Sequence, residues 1–189
     1  MFKTGTCVIY PHYGAGEIVD TETVEVDGEE KKYYVVEIYL RDLTVRFPEE
    51  QIEERNIRTL VSKNNLLERL REVRERILEE DYPDGEIQKV QRSRLEQMES
   101  NIKEGDLDDT IDALARLHAK FVERDMNIGE KRTYDLAKEF CTGELMGIHG
   151  CDADSARDKL SNYLPLHIPN LHDPDEEEES DDEDEEDDE

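Results

Sequence analysis

The sequence predicts an α+β fold in two domains: a small antiparallel β-barrel over residues 1–57, then a compact all-α bundle of about five helices over residues 58–166. A disordered acidic tail over 167–189 completes the chain. Three observations carry this. Runs rich in β-branched and aromatic residues, broken by turn residues, fill the first quarter of the chain. From about Asn56 the apolar residues recur at helical spacings instead. The segment 173–189 holds 15 acidic residues and no basic one.

The β half reads as a series of short strands. Thr6-Cys7-Val8-Ile9-Tyr10 is the first, and Gly16-Glu17-Ile18-Val19-Asp20 begins the second. Val24 and Val26 alternate with acidic neighbours up to Asp27-Gly28, a hairpin turn signal. Lys32-Tyr33-Tyr34-Val35-Val36-Glu37-Ile38-Tyr39 is the most β-prone run of the chain. Arg41-Asp42 turns again, and Leu43-Thr44-Val45-Arg46-Phe47 follows before Pro48. Strands this short with turns this frequent suit a small antiparallel barrel or a strongly bent sheet.

The helical half begins with a helix capped by Ser62 that carries Leu66, Leu67, Leu70, Val73 and Ile77. Tyr82-Pro83-Asp84-Gly85 interrupts it. A second helix is expected over 86–103, ended by Glu104-Gly105-Asp106. A third, over 108–123, places Ile111, Leu114, Leu117 and Phe121 on one buried face. A fourth opens at Ile128-Gly129-Glu130 and runs to Met146; a fifth spans 152–163. The short connections leave room only for packing between neighbours.

Composition narrows the function. The net charge is −28, and residues 1–172 still carry −13 without the tail. General wrapping of nucleic acid is excluded, so any DNA contact needs a local basic patch. No stretch reaches the roughly 20 apolar residues of a membrane span, and the N-terminus lacks a secretory h-region. Three cysteines, Cys7, Cys141 and Cys151, without CxxC suit a reducing cytosol. Cys141, His149 and Cys151 lack an evident fourth metal ligand, so no metal or other cofactor is expected. The tail is either a solubility segment or a mimic of nucleic-acid charge that competes for a basic surface.

Chemistry-bearing motifs are weak. Tyr13-Gly14-Ala15-Gly16 holds only GxG and is followed by another β run, so it reads as a strand reversal rather than a phosphate loop. The carboxylates sit at helical spacing from bases, as in Glu68/Arg71 and Glu72/Arg76, which is the pattern of a solvated face. The chain is read as no enzyme. Basic clusters stand out against the acidic background: Lys89, Arg92 and Arg94; Lys131 and Arg132; Arg116, Lys120 and Arg124. Each alone is a solvated face; two brought together make a phosphate-binding patch. Arg46, in a strand of an acidic domain, suits protein docking at a strand edge.

Several of these segments together resemble the CarD/CdnL family of bacterial transcription regulators. They are Phe2-Lys3-Thr4-Gly5, Tyr10-Pro11-His12-Tyr13-Gly14-Ala15-Gly16, Tyr33-Tyr34-Val35-Val36 and Asp42-Leu43-Thr44-Val45-Arg46-Phe47-Pro48 in the first half. Lys103-Glu104-Gly105-Asp106, Gly129-Glu130-Lys131-Arg132 and Gly143-Glu144-Leu145 follow in the second. The first half is also similar to the polymerase-interacting module of transcription-repair coupling factors.

The resemblance implies a Tudor-like, SH3-like domain that docks on the RNA polymerase β subunit. Arg46 takes the role of the family's docking arginine, with Thr44, Val45, Phe47 and Pro48 around it. A second family arginine maps near Val24 here. The helical domain is implied to contact promoter DNA at the upstream bubble edge, without sequence specificity, and to modulate open-complex stability. The family sets a tryptophan wedge there. This chain has no tryptophan, and the wedge position falls near Gln91, beside Lys89, Arg92 and Arg94. Glutamine can hydrogen-bond a base edge but lacks an indole's stacking area. Lys131 and Arg132 complete the expected DNA-facing set. The expected protein is a cytoplasmic monomer with polymerase and promoter DNA as partners and no membrane contact. The competing reading is an adaptor on polymerase that never touches DNA.

Overall fold

The structure, a computed structural model, describes residues 2–79, 92–123 and 125–164. Strands β1 (Cys7–Tyr10), β2 (Gly14–Val26), β3 (Glu29–Ile38), β4 (Thr44–Pro48) and β5 (Arg58–Thr59) form one antiparallel sheet in the order β4-β3-β2-β1-β5. A short helix, α1 (Gln51–Glu54), links the last two strands. The helical half comprises α2 (Lys63–Glu79), α3 (Arg92–Glu104), α4 (Leu107–Glu123), α5 (Ile128–His149) and α6 (Ala153–Ser161).

The expected strands and turns are present, and five helices form the second half. The sheet is open rather than a closed barrel: β4 and β5 each have one strand neighbour among the described residues. Two small elements, α1 and β5, lie where the sequence offered no periodicity. Four residues and two residues are too short to show any. The expected interruption over 82–85, the 86–91 start of the second helix and the acidic tail lie outside the described residues.

Local chemistry explains most boundaries. Asp27 and Gly28 both adopt positive φ, at 54° and 80°, as a type I′ turn demands. That turn sets the register: Val26 faces Glu29, and Glu22 faces Tyr33. The Ser62 side chain accepts from Asn65 N–H at the start of α2. Asn127 and Glu130 form a reciprocal capping box at α5, whose other end closes on left-handed Gly150. Asp152 caps α6 through Ser155 N–H.

Two cores result. Val8, Ile18, Tyr34, Val36 and Phe47 fill the concave side of the sheet. Leu66, Leu70, Ile102, Leu114, Leu117 and Leu145 anchor the bundle. Phe121 departs from the expected apolar face, because 49% of it stays exposed.

The halves are joined by α5, which lies directly on β1 and β2. Gly143 allows this by packing against Ala15. Gly147, one turn on, faces Leu60, Tyr39 and Cys7, leaving no space for a side chain. The reversal expected at Tyr13-Gly14-Ala15-Gly16 falls earlier, at residues 11–13, because β2 already begins at Gly14, and this turn is also part of the junction. His12 N–H donates to the Lys103 carbonyl at 2.5 Å, and Gly14 faces the Phe140 ring.

Polar groups seal the joint. Arg58 of β5 makes a two-pronged pair with Glu144 of α5, at 2.9 and 3.1 Å, and its Nε donates to the Gly105 carbonyl at 3.1 Å. The Glu144 side chain is only 4% exposed. Arg41 Nε reaches Glu139 Oε1 at 2.7 Å from the other side.

Two outcomes follow from this joint. Gly147→Val should destabilise the fold by about 2 kcal/mol through overpacking, seen as a melting point about 4–8 °C lower. Arg58→Met should cost about 3 kcal/mol by stranding buried Glu144. The double variant Arg58→Met/Glu144→Leu should recover most of that in denaturant titration, because it leaves no uncompensated charge.

Candidate functional site

The first candidate surface is the outer face of β4. Strand alternation splits the expected docking residues. Thr44 and Arg46 point outward and are exposed. Pro48 is half-buried at the strand end. Phe47 is 1% exposed and stacks in the core with Tyr10 and Tyr34, while half-buried Val45 packs against that same core. Both side chains therefore help hold β4 in place, Phe47 fully and Val45 in part.

Arg46 is held by its neighbours. Its guanidinium lies 4.6 Å from the Tyr33 ring centroid, and Nη2 sits 2.6 Å from Glu22 Oε2. Glu22 and Tyr33 are cross-strand partners of β2 and β3. Val35, opposite Arg46, completes the face. Both charged partners are nearly half exposed, so the pair adds little stability. Its effect is to orient a planar donor fork beside an open strand edge. The sequence reading missed Glu22 and Tyr33. The signal was available: once Asp27-Gly28 is a two-residue turn, the register places Glu22 against Tyr33.

The second candidate surface is the end of the bundle far from the sheet. Leu95 of α3 meets Gly129 of α5, and Glu99 meets Arg132 and Thr133. The two helices therefore run parallel, and their early residues share one end. Arg92, Arg94, Lys131 and Arg132 lie there, with Lys131 and Arg132 about 18–20 Å along α5 from Glu144 at ~1.5 Å per residue. Lys89 and Gln91 lie outside the described residues.

Carboxylates attend most of these bases. Arg92 Nε lies 2.9 Å from Glu96, and Lys131 Nζ lies 2.8 Å from Asp135. Arg132 reaches Glu99 through Nε and Nη2, at 2.8 and 2.7 Å. Arg94 is exposed and has no such partner among the described residues. The Arg92 and Lys131 pairs lie in water and are readily exchanged for phosphate.

Glu99 is different, with a side chain only 10% exposed. Burial alone would raise its carboxyl. Hydrogen bonds from Arg132 and Thr133, with the charges of Arg132 and Lys103, outweigh this and hold it below the ordinary carboxylate range. Beside it a groove of about 910 Å³ opens between α3 and α5, lined by Met126, Ile128 and Leu136 with Lys103 and Lys131 at its rim.

No cluster of three metal-binding side chains occurs among the described residues. Cys141 is buried, and burial and then the Glu144 charge, partly opposed by Arg58, push its thiol far up. No helix of the described residues is long and apolar enough to cross a membrane.

The described residues thus combine a β domain with an unpaired strand edge carrying an oriented arginine and a helical bundle with a basic end. Comparison with known families gives the class. The CarD-like/TRCF RID domain model matches residues 2–61, and the CarD C-terminal domain model matches residues 76–161. The chain belongs to the CarD family, transcription regulators that work with RNA polymerase. It is 29% identical over 150 residues to a Bacillus subtilis (strain 168) protein, "Putative transcription factor YdeB", covering 79% of this chain and 94% of that protein.

The Glu99 arrangement carries a pH prediction. Its folded carboxyl titrates below its unfolded value, about 4.3, so its stabilisation is present above that value. It is lost as pH falls through the lower folded value. Glu99→Gln should therefore cost about 1 kcal/mol at neutral pH, and the gap to the unsubstituted protein should close on acidification. Denaturant melts from pH 7 down to pH 3 measure it.

Proposed function

We propose that the protein regulates transcription by docking its β domain on the RNA polymerase β subunit and presenting the far end of its helical bundle to promoter DNA. The observation that carries this reading is Arg46. It stands outward on a strand with one free edge, stacked on Tyr33 and oriented by Glu22. A free edge accepts a partner strand, and an oriented guanidinium then selects a carboxylate. Thr44 and Pro48 share the outward register with Arg46; Val45 and Phe47 hold the strand against its core.

The DNA contact is supported by where the bases lie. Arg92, Arg94, Lys131 and Arg132 collect at one end of the bundle, and a joint sealed by Arg58 and Glu144 sets that end at a fixed offset from the docking strand. The contact is to phosphate and carries no sequence information by itself. Tethering to polymerase raises local DNA concentration, which offsets the repulsion from a chain of net charge −28. Near the bubble edge, such contacts shift the lifetime of the open complex.

The carboxylates that already face Arg92, Lys131 and Arg132 favour a second reading, an adaptor that recruits another protein and does not touch DNA. Crosslinking from the helical half to promoter DNA in the polymerase complex separates the two. Contact supports the first reading, and its absence supports the adaptor.

Arg46→Glu should abolish capture of the polymerase β subunit, at least a tenfold loss in a pull-down, because it reverses the charge beside Glu22. Thermal stability should stay within about 0.5 kcal/mol, as for most surface substitutions. Undiminished capture by this variant would remove Arg46 from the docking site.

A further inference from the structure

Neither surface described so far uses Phe121. This ring, near the C-terminal end of α4, is half exposed although its helical spacing places it with the buried residues. It stands 6.1 Å from the Tyr134 ring at 23°, and Tyr134 stands 5.9 Å from His118 at 20°. The three rings form an offset ladder across the α4–α5 seam. Its inner members are fixed. Tyr134 is buried, its hydroxyl lies 3.0 Å from His118 Nδ1, and burial and then the Lys138 charge hold the imidazole below its ordinary value, favouring the neutral ring. His118 is half-buried and Phe121 is 49% exposed, so Phe121 is the ring of the three most open to water.

Two ammonium groups approach the same ladder. Lys131 Nζ lies 5.5 Å and Lys138 Nζ 5.9 Å from the Tyr134 centroid. Lys138 forms no ion pair among the described residues. An exposed aromatic is thus backed by a buried ring that two ammonium groups approach, one of them, Lys131, shared with Asp135 at 2.8 Å. An intact duplex accepts an apolar ring between its bases only by unstacking a step, which costs free energy. An unpaired base gains a flat apolar partner, and its flanking phosphates gain the lysines. Because Tyr134 and His118 already hold the seam in place, little order is lost on contact.

We propose that Phe121 is a stacking platform for an unpaired base of single-stranded DNA, with Lys131 and Lys138 meeting the phosphates on either side. The proposal rests on the reading that the helical half faces DNA, and it narrows that contact from phosphate alone to melted strand.

The chain lacks tryptophan, so Phe121→Trp in the full-length protein creates a single emission reporter at the site. Tyr13→Trp, in the β half, serves as the control. Oligodeoxythymidylate should quench Trp emission at 121 saturably, a duplex of equal length much less, and neither should quench emission at 13. Phe121→Leu keeps apolar bulk in the helix. It should bind the single strand about tenfold more weakly by anisotropy, the scale of one lost stacking contact, with unchanged circular dichroism and melting point. Lys138→Gln should weaken binding two- to threefold and lower its salt dependence.

No quenching at 121 by the single strand, or wild-type affinity in Phe121→Leu, overturns the proposal. So does quenching at 121 by polymerase without DNA, which would make the patch a protein contact. Polymerase capture by Arg46→Glu is read separately. If that variant loses polymerase while Phe121→Leu keeps single-strand affinity, docking stands and stacking falls; the reverse result has the reverse meaning.

Discussion

The seating of α5 on the sheet is the constraint from which the rest of the molecule follows. The distance of a helix from the sheet it covers is set by the side chains between them. Here Gly143 and Gly147, one turn apart, remove those side chains where Ala15, Tyr39 and Cys7 approach. The close contact lets Arg58 bridge from the edge strand to Glu144 and to the Gly105 carbonyl together. One guanidinium thus ties β5, the α3–α4 turn and α5. A buried ion pair of this kind is a poor source of net stability. What it contributes is geometric, since its hydrogen bonds are satisfied in one arrangement of the two halves.

That geometry matters because the two candidate surfaces lie at opposite ends of it. Arg46 stands on β4, the sheet edge furthest from β5. The basic end of the bundle lies at the start of α5, beyond the joint. A loose linker would let these surfaces move independently, and docking would place the helical end nowhere in particular. In the proposed reading, a sealed joint would convert one docking event into a defined position for the other surface. Tethering then raises local concentration and also fixes orientation.

Charge follows a related logic. The helical end is not a strongly positive field, since Glu96, Asp135 and Glu99 accompany its bases. On the proposed DNA contact, exposed pairs of this strength would weaken binding to free DNA yet yield to a phosphate presented at close range. The buried Glu99 behaves otherwise: held ionised by Arg132 and Thr133, it positions Arg132 as part of the α3–α5 packing. The same end of the bundle therefore mixes structural charge with exchangeable charge.

The order of elements was legible in the sequence because it depends on local chemistry. Asp27-Gly28 specifies a tight hairpin, Ser62 and Asn127 specify helix starts, and the change of apolar period at about residue 56 separates the two halves. The resemblance carried by Tyr10-Pro11-His12-Tyr13-Gly14 and Asp42-Leu43-Thr44-Val45-Arg46-Phe47-Pro48 was legible too, and the family matches bear it out. The faces of single residues were not. Period two turns Phe47 inward beside Arg46, and that follows only once the strand's register is known. Phe121 has the spacing of a core residue, yet no neighbour among the described residues closes over it. Tertiary structure alone decided that Pro11-His12-Tyr13-Gly14 belongs to the joint between the halves, that Arg58 finds Glu144 across 86 residues of chain, and that Arg46 rests on Tyr33. Each depends on segments distant in sequence meeting at a particular distance and angle, and local propensity carries no information about either.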